Sequence, residues 1–180
     1  MEDQTARGHP LPTFQTRSLP MKGDKKIIGH LNSLLAGELT AIDQYFIHAE
    51  MYKDMGLNAL FERINHEMED EREHARQLIA RILFLEGVPD LTKREPAIKV
   101  GKDVPGMLES DLALEYAVVK HLKDVIAETE KAQDYVTRDL LVAMLDDTEE
   151  DHTHWLEKQL RLIKLTGLQN YIQSQMGSAA

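Results

Sequence analysis

Apolar residues recur at spacings of three and four positions through four long stretches of the chain. This is the period of an α-helix that turns one face toward a core. Asp24 and Asp103 are of a residue type that caps helix N-termini, and Gly56 and Gly167 are typical helix stops. The pattern therefore predicts four long amphipathic helices, over approximately 24–56, 58–87, 103–133 and 134–167.

The connections between these helices predict how they are arranged. The first two helices are joined by a short turn, as are the last two, so each pair is expected to be antiparallel. The link 88–103 could span about 53 Å when extended, whereas a helix of this length measures about 42 Å. The link can therefore run the length of the bundle. The sequence predicts an all-α four-helix bundle with one long crossover and a short fifth C-terminal helix over Leu168 to Gln175.

Polar residues interrupt the apolar face of every predicted long helix, near its middle. Two of the interruptions have the form Glu-x-x-His, and residues three apart lie on the same face of an α-helix. Counting along each helix from the adjoining turns places all of them within about 5 Å of one level in each antiparallel pair. The six residues are Glu38, Glu71, His74, Glu115, Glu149 and His152.

Four carboxylates in a bundle core, with no Lys or Arg on the same faces, require a cation for neutralisation. Oxygen and imidazole ligands suit iron, manganese or zinc, and this ligand pattern is that of di-iron carboxylate sites in helical bundles. The alternative for any one of the six is a solvated helix face.

Tyr45 shares the face of Glu38, with core packing as the alternative. His66 and Asp70 are four apart and form either an extra metal site or a solvated pair.

Composition narrows the function further. The 180 residues include 21 Lys and Arg against 31 Asp and Glu, a net charge of −10, which argues against nucleic acid as a partner. The chain has no Cys, no apolar run long enough for a membrane span and no secretory signal pattern, so we expect a cytoplasmic protein. Residues 1–20 are expected to be a flexible extension, or the product of a misassigned start, before a domain over 21–180.

Several stretches of this sequence resemble bacterioferritin and the related bacterial ferritins, over about 160 of the 180 residues. They are MKGDKKIIGHLNSLLAGELTAIDQY, RILFLEG, ESDLALE, WLEKQL and GLQNYIQSQ. The resemblance implies a ferritin-like fold, a homo-oligomeric cage of 24 subunits, oxidation of Fe(II) by O₂ or H₂O₂ at an intrasubunit di-iron site, and storage of a ferric mineral. The family's iron ligands fall on the six residues above, its inner-surface iron site on His66 and Asp70, and its site-adjacent tyrosine on Tyr45.

The sequence departs from that family pattern at two places. Arg72 occupies the position of the methionine that ligates haem in haem-binding members, and Arg cannot serve as a soft axial ligand. We therefore expect no haem b in a homo-oligomer, as in the haem-free bacterial ferritin branch. The fourth helix also has one extra residue, in LDDTEEDH, so either Thr148 or Glu149 stands at the carboxylate position. Glu149 is predicted, because it can bridge iron and is three residues before His152.

Two other functions fit the same residues. A di-iron peroxidase would act on a substrate in solution, although the rubrerythrin type would be expected to add a Cys-rich iron domain. A subunit of a mixed cage would rely on a haem-binding paralogue as its partner. The sequence leaves open the physiological oxidant, the reductant for iron release, and whether the di-iron centre is a stable cofactor or a transit site.

Overall fold

The computed structural model describes residues 23–177, and within that range every regular element is helical. The elements are α1 (Lys25–Asp54), α2 (Asn58–Phe84), α3 (Val104–Lys131), α4 (Tyr135–Asp147), a π-helical turn (Thr148–Thr153), α5 (His154–Thr166) and α6 (Leu168–Gln175). Because α4, the π-helical turn and α5 are continuous, together they form the fourth bundle helix. The predicted all-α bundle with a short C-terminal helix is confirmed. The predicted extension 1–20 lies outside the described residues.

The helix ends follow the sequence signals. Asp24, Asp103 and Asp134 each precede a long helix, and each side chain accepts a hydrogen bond from a backbone N–H two or three residues later. Such caps satisfy N–H groups that have no partner inside the helix. Gly56 follows α1 with a φ of 74°, a left-handed conformation that glycine adopts without strain. These signals place the tight turn that makes α1 and α2 neighbours.

α1 and α3 are antiparallel, as contacts at their two ends show. Lys26, at the start of α1, pairs with Glu128 near the end of α3. Gln44, in the second half of α1, donates a hydrogen bond of 2.8 Å to Asp111 near the start of α3. Both α2 and α3 are therefore antiparallel to α1.

α2 and the fourth bundle helix are also antiparallel. Arg63, near the start of α2, lies 2.7 Å from Asp151, and Arg81, near its end, lies 2.9 Å from Asp134. Since α2 and α3 run in the same direction, the connection between them has to cross the full length of the bundle. This is the long crossover that the sequence predicted.

The crossover link follows α1. The backbone N–H of Asp90 donates to Asn32 Oδ1 over 2.7 Å, and farther along, the N–H of Gly101 donates to His48 Nε2 over 3.0 Å. His48 Nδ1 lies 2.8 Å from Asp111 Oδ1, and both side chains are fully buried. Because His48 Nε2 accepts a hydrogen bond, its proton is on Nδ1 and is donated to Asp111. This buried network joins the link to α1 and α3.

In its first half, the fourth bundle helix buries a different face from the one expected if Glu149 and His152 both face the core. α-Helical spacing back from Glu149 leads to Leu145 and Val142 as core positions, whereas the structure buries Leu141 and Met144 and leaves Val142 40% exposed. A π-helical turn has i→i+5 hydrogen bonds and adds a residue to the helix. The turn at Thr148–Thr153 therefore shifts the buried face of the preceding residues by one position.

Beyond the fourth bundle helix, α6 folds back onto it. The buried Tyr171 donates a hydrogen bond of 3.1 Å to Gln159 of α5, which fixes the short helix at the end of the bundle. Among the described helices, none is both long enough and apolar enough to cross a membrane.

Candidate metal centre

A cluster of charged side chains lies in the middle of the bundle core. The structure brings five of the six predicted ligands together and leaves each at most 6% exposed. α1 contributes one, α2 two, α3 one, and the fourth bundle helix one. The five, called the core cluster below, are Glu38, Glu71, His74, Glu115 and His152.

The core cluster consists of two sets of three that share Glu71. One set is completed by Glu38 and His74, and the other by Glu115 and His152; within each set the ligand atoms lie within 4.8 Å of one another. His74 Nδ1 is 3.1 Å from one oxygen of Glu71, and His152 Nδ1 is 2.9 Å from the other. A carboxylate whose two oxygens face different imidazoles is positioned to bridge two metal ions.

The donors of the core cluster fit metals of the iron class. One oxygen of Glu38 and one of Glu115 are buried without a hydrogen-bond partner. Among residues 23–177, no Lys or Arg forms an ion pair with any of the five groups. Buried carboxylate oxygens need a cation or a proton, and three carboxylates with two imidazoles are a donor set for iron, manganese or zinc.

Without metal, protons take the place of the cations. Burial, reinforced by the charge of Glu71, raises the pKa of Glu38, and burial raises the pKa of Glu115 to about 8. Burial opposes protonation of His74 and His152, but hydrogen bonds to the carboxylates raise their pKa values to about 11 and about 10. Burial alone would raise the pKa of Glu71, but the hydrogen bonds from both histidines outweigh burial and lower it.

Tyr45 lies next to the core cluster, on the same face of α1 as Glu38. Its hydroxyl donates a hydrogen bond to Glu115 Oε1, which leaves Glu115 Oε2 facing His152 at 3.9 Å. Burial raises the pKa of the Tyr45 phenol, so the phenol is neutral and acts as a donor. Tyr45 thus orients one of the carboxylates.

Glu149 is placed differently from the sequence prediction. Its carboxylate lies 2.5 Å from Lys123 Nζ at the surface, and its side chain is 43% exposed. The prediction assumed α-helical spacing between Glu149 and His152, but both residues belong to the π-helical turn, in which positions three apart do not share a face. Thr148 is buried instead, and its hydroxyl donates to the carbonyl of Met144 over 2.8 Å.

His66 and Asp70 lie beside the core cluster, not in it. His66 Nε2 is 3.4 Å from Asp70 Oδ2, and the His66 side chain is 62% exposed. The structure therefore brings the predicted pair together on the outside of α2, where both a surface metal site and a solvated ion pair are compatible with the geometry.

Glu67 and Asp151 form a second acidic group that the sequence analysis did not assign, with ligand atoms near those of Asp70 and His152. Arg63 lies 2.7 Å from both Glu67 and Asp151, so its guanidinium already supplies a positive charge there. The position of Glu67 on the apolar face of α2 was a signal for its burial.

Asp147 also contacts the core cluster and was missed by the sequence analysis. Its Oδ2 lies 3.0 Å from His74 Nε2, on the opposite side of the imidazole from Glu71. The Asp147 side chain is 46% exposed, at the mouth of a surface cavity next to His74. A half-exposed acidic residue gives no periodic signal, so only the structure could identify it.

The comparison with known families agrees with this geometry. The model of the ferritin-like domain matches residues 28–166 of the chain. The chain belongs to the ferritin family. A protein named bacterial ferritin from Synechocystis is 58% identical to it over 156 residues, which cover 87% of this chain and 99% of the relative.

Two further relatives of this ferritin-family chain carry the names bacterial ferritin and bacterioferritin. A bacterial ferritin from Pseudomonas aeruginosa is 54% identical over 156 residues, covering 87% of this chain and all of the relative. A bacterioferritin from Mycobacterium leprae is 39% identical over 151 residues, covering 84% of this chain and 94% of the relative. The resemblance that the sequence suggested is thereby confirmed.

The protonation of the core cluster predicts that metal binding depends on pH. Two divalent ions must displace the protons on Glu38, Glu115 and the two histidines, so the affinity for Zn(II) should rise at least about tenfold per pH unit between about pH 6 and pH 8. Calorimetry in buffers of different ionisation enthalpy should also detect proton release. An affinity that is the same at both ends of this range would contradict the raised pKa values.

The position of Glu149 predicts a small effect of its removal. Glu149→Ala should keep the affinity of the core cluster for Zn(II) within about threefold of wild type, because an exposed ion pair contributes at most about 1 kcal/mol. Glu38→Ala, which removes a buried ligand-type group, is the matched comparison and should weaken binding at least about tenfold. If the two variants lost affinity equally, Glu149 would have to leave Lys123 and join the metals on loading.

Proposed function

We propose that this protein takes up Fe(II), oxidises it at the core cluster and stores the ferric product inside an oligomeric shell. The observation that carries the proposal is the shared carboxylate Glu71, whose two oxygens face His74 and His152. Two Fe(II) ions would be held as substrate, one by Glu38, Glu71 and His74 and the other by Glu71, Glu115 and His152. The names of the bacterial ferritins that it resembles support iron as the metal.

The protein's part in the reaction is to hold two irons close together in a site of fixed charge. Iron supplies the electrons, and O₂ or H₂O₂ accepts them. The three negatively charged carboxylates would stabilise Fe(III) more than Fe(II), which favours oxidation. Loss of protons from the two imidazoles on metal binding frees Nδ1 of each as a ligand. Tyr45 holds Glu115 in place through its hydrogen bond.

A cage of 24 subunits in the cytoplasm is the assembly that we propose, and it rests on the family. Arg72 bears on the haem content of that cage. Its guanidinium donates to both oxygens of Glu69 at 2.7 and 2.8 Å, and both side chains are about half exposed. A permanently charged guanidinium cannot ligate haem iron, so we propose that the homo-oligomer has no haem b and that any haem in a mixed cage would come from a partner subunit.

The alternative of a solution peroxidase is separated from storage by measuring iron retention. Under aerobic Fe(II) addition, a storage protein should retain far more iron than two atoms per subunit, in a particle near 24 times 20.5 kDa. A particle that stays a monomer or dimer, or that holds only two irons per subunit while consuming H₂O₂, would contradict the proposal.

The role of the core cluster in oxidation is tested in the same experiment with a histidine pair. His74→Ala should slow the fast oxidation of the first two Fe(II) per subunit at least about tenfold, a barrier change of about 1.4 kcal/mol. His154→Ala is the matched control, because His154 is exposed on the fourth bundle helix. Equal rates in the two variants would place the oxidation site elsewhere.

A further inference from the structure

Each histidine of the core cluster has a second carboxylate on its outer side. Nδ1 of each imidazole faces the core cluster, whereas Nε2 of His74 lies 3.0 Å from Asp147 and Nε2 of His152 lies 3.2 Å from Glu67. An imidazole that ligates a metal through Nδ1 has its proton on Nε2, where it can be donated to such a carboxylate. This contact fixes the tautomer and orientation of a ligating histidine and strengthens it as a ligand.

The two outer carboxylates differ in their surroundings. Glu67 is 2% exposed and is held by Arg63 at 2.7 Å, so it cannot easily move away from His152. Asp147 is 46% exposed, and within residues 23–177 it has no Lys or Arg partner. Water can therefore reach the contact between His74 and Asp147, whereas the contact between His152 and Glu67 is buried.

The position of Asp147 also joins His74 to the surface. Asp147 lies with His74 at the wall of a cavity whose other acidic residues are Asp146, Glu150 and Asp151. The negative charge of this cavity favours cations close to His74. Nε2 of His152 lies nearer to the buried Glu67, at 3.2 Å, than to Asp147, at 3.9 Å.

We propose that Asp147 is a positioning residue for His74 and that the metal position at His74 is the more rapidly exchanging one of the two, because this outer contact is half exposed to water. Glu67 performs the corresponding role for His152 and keeps the second position slow. This inference rests on the proposed function, because it assumes that the core cluster binds two metals. The inference adds that the two metal positions differ in exchange rate, although their two sets of ligands are nearly symmetric.

The test uses Co(II) without oxygen, so that no oxidation takes place. Wild-type protein should bind two Co(II) per subunit in the core cluster and lose them to excess chelator in two phases of equal amplitude. Asp147→Ala should accelerate the fast phase and weaken one of the two sites, each about tenfold, while the slow phase stays within about twofold. Asp147→Asn, whose amide oxygen can still accept the hydrogen bond, should restore most of the wild-type behaviour.

Two further variants separate positioning from general charge. Asp146→Ala removes the same charge from the same cavity, and in the described part of the chain Asp146 has no ion pair or side-chain hydrogen bond, so both phases should be unchanged. Glu67→Gln should accelerate the slow phase. The absorption spectrum of bound Co(II) should shift in Asp147→Ala, because the geometry of one site changes.

The outcomes distinguish failure of this inference from failure of the proposed function. If Asp147→Ala altered both phases equally, altered neither, or behaved as Asp146→Ala does, the positioning role would be overturned while two-metal binding stood. If wild-type protein bound fewer than two Co(II) per subunit at the core cluster, the proposed function and this inference would both be overturned.

Discussion

The structure depends on the burial of three carboxylates and two imidazoles at one level of the bundle. An isolated buried carboxylate in an apolar core is too costly to remain charged. These groups therefore share protons when metal is absent, as the opposite pKa shifts of Glu71 and its neighbours show. Divalent metals can replace those protons with a better balance of charge. The folded protein is thus arranged around positions that attract cations.

The rest of the bundle holds these groups in place. The long crossover makes α2 and α3 parallel, so that the tight turns leave Glu38, Glu71 and Glu115 on converging faces of three helices. The buried hydrogen bond between His48 and Asp111 joins the link to α1 and α3, close to the Tyr45 that orients Glu115. Hydrogen-bonded buried networks of this kind favour one arrangement of the core over others.

Much of this could be predicted from the sequence, because helical periodicity makes a polar residue on an apolar face conspicuous. Glu38, Glu71 and Glu115 stood out in this way, and the structure buries all three. Glu149 is the informative difference. Its spacing from His152 was interpreted with α-helical geometry, and nothing in the letters TEEDH distinguishes an α-helix from a π-helical turn. The extra residue in LDDTEEDH was a signal that the helix is irregular there, but not of where its residues would face.

Asp147 illustrates a second limit. It is half exposed and lies outside every apolar face, so its contact with His74 depends on the path of the helix just before the π-helical turn. The same irregular turn thus moves one acidic residue to the surface beside Lys123 and leaves another against a histidine of the core cluster. Sequence patterns report which residues are buried more reliably than which atoms meet.

The central claim, that the core cluster binds two iron ions that share Glu71, is tested most directly by locating the metal ions. In crystals of the protein loaded with Fe(II) under anaerobic conditions, anomalous diffraction at the iron edge should show two ions per subunit inside the bundle. Glu71 should contact both ions, with Nδ1 of His74 on one and Nδ1 of His152 on the other. A single ion, or ions confined to the group of Glu67, Asp70 and Asp151 outside the core cluster, would contradict the account.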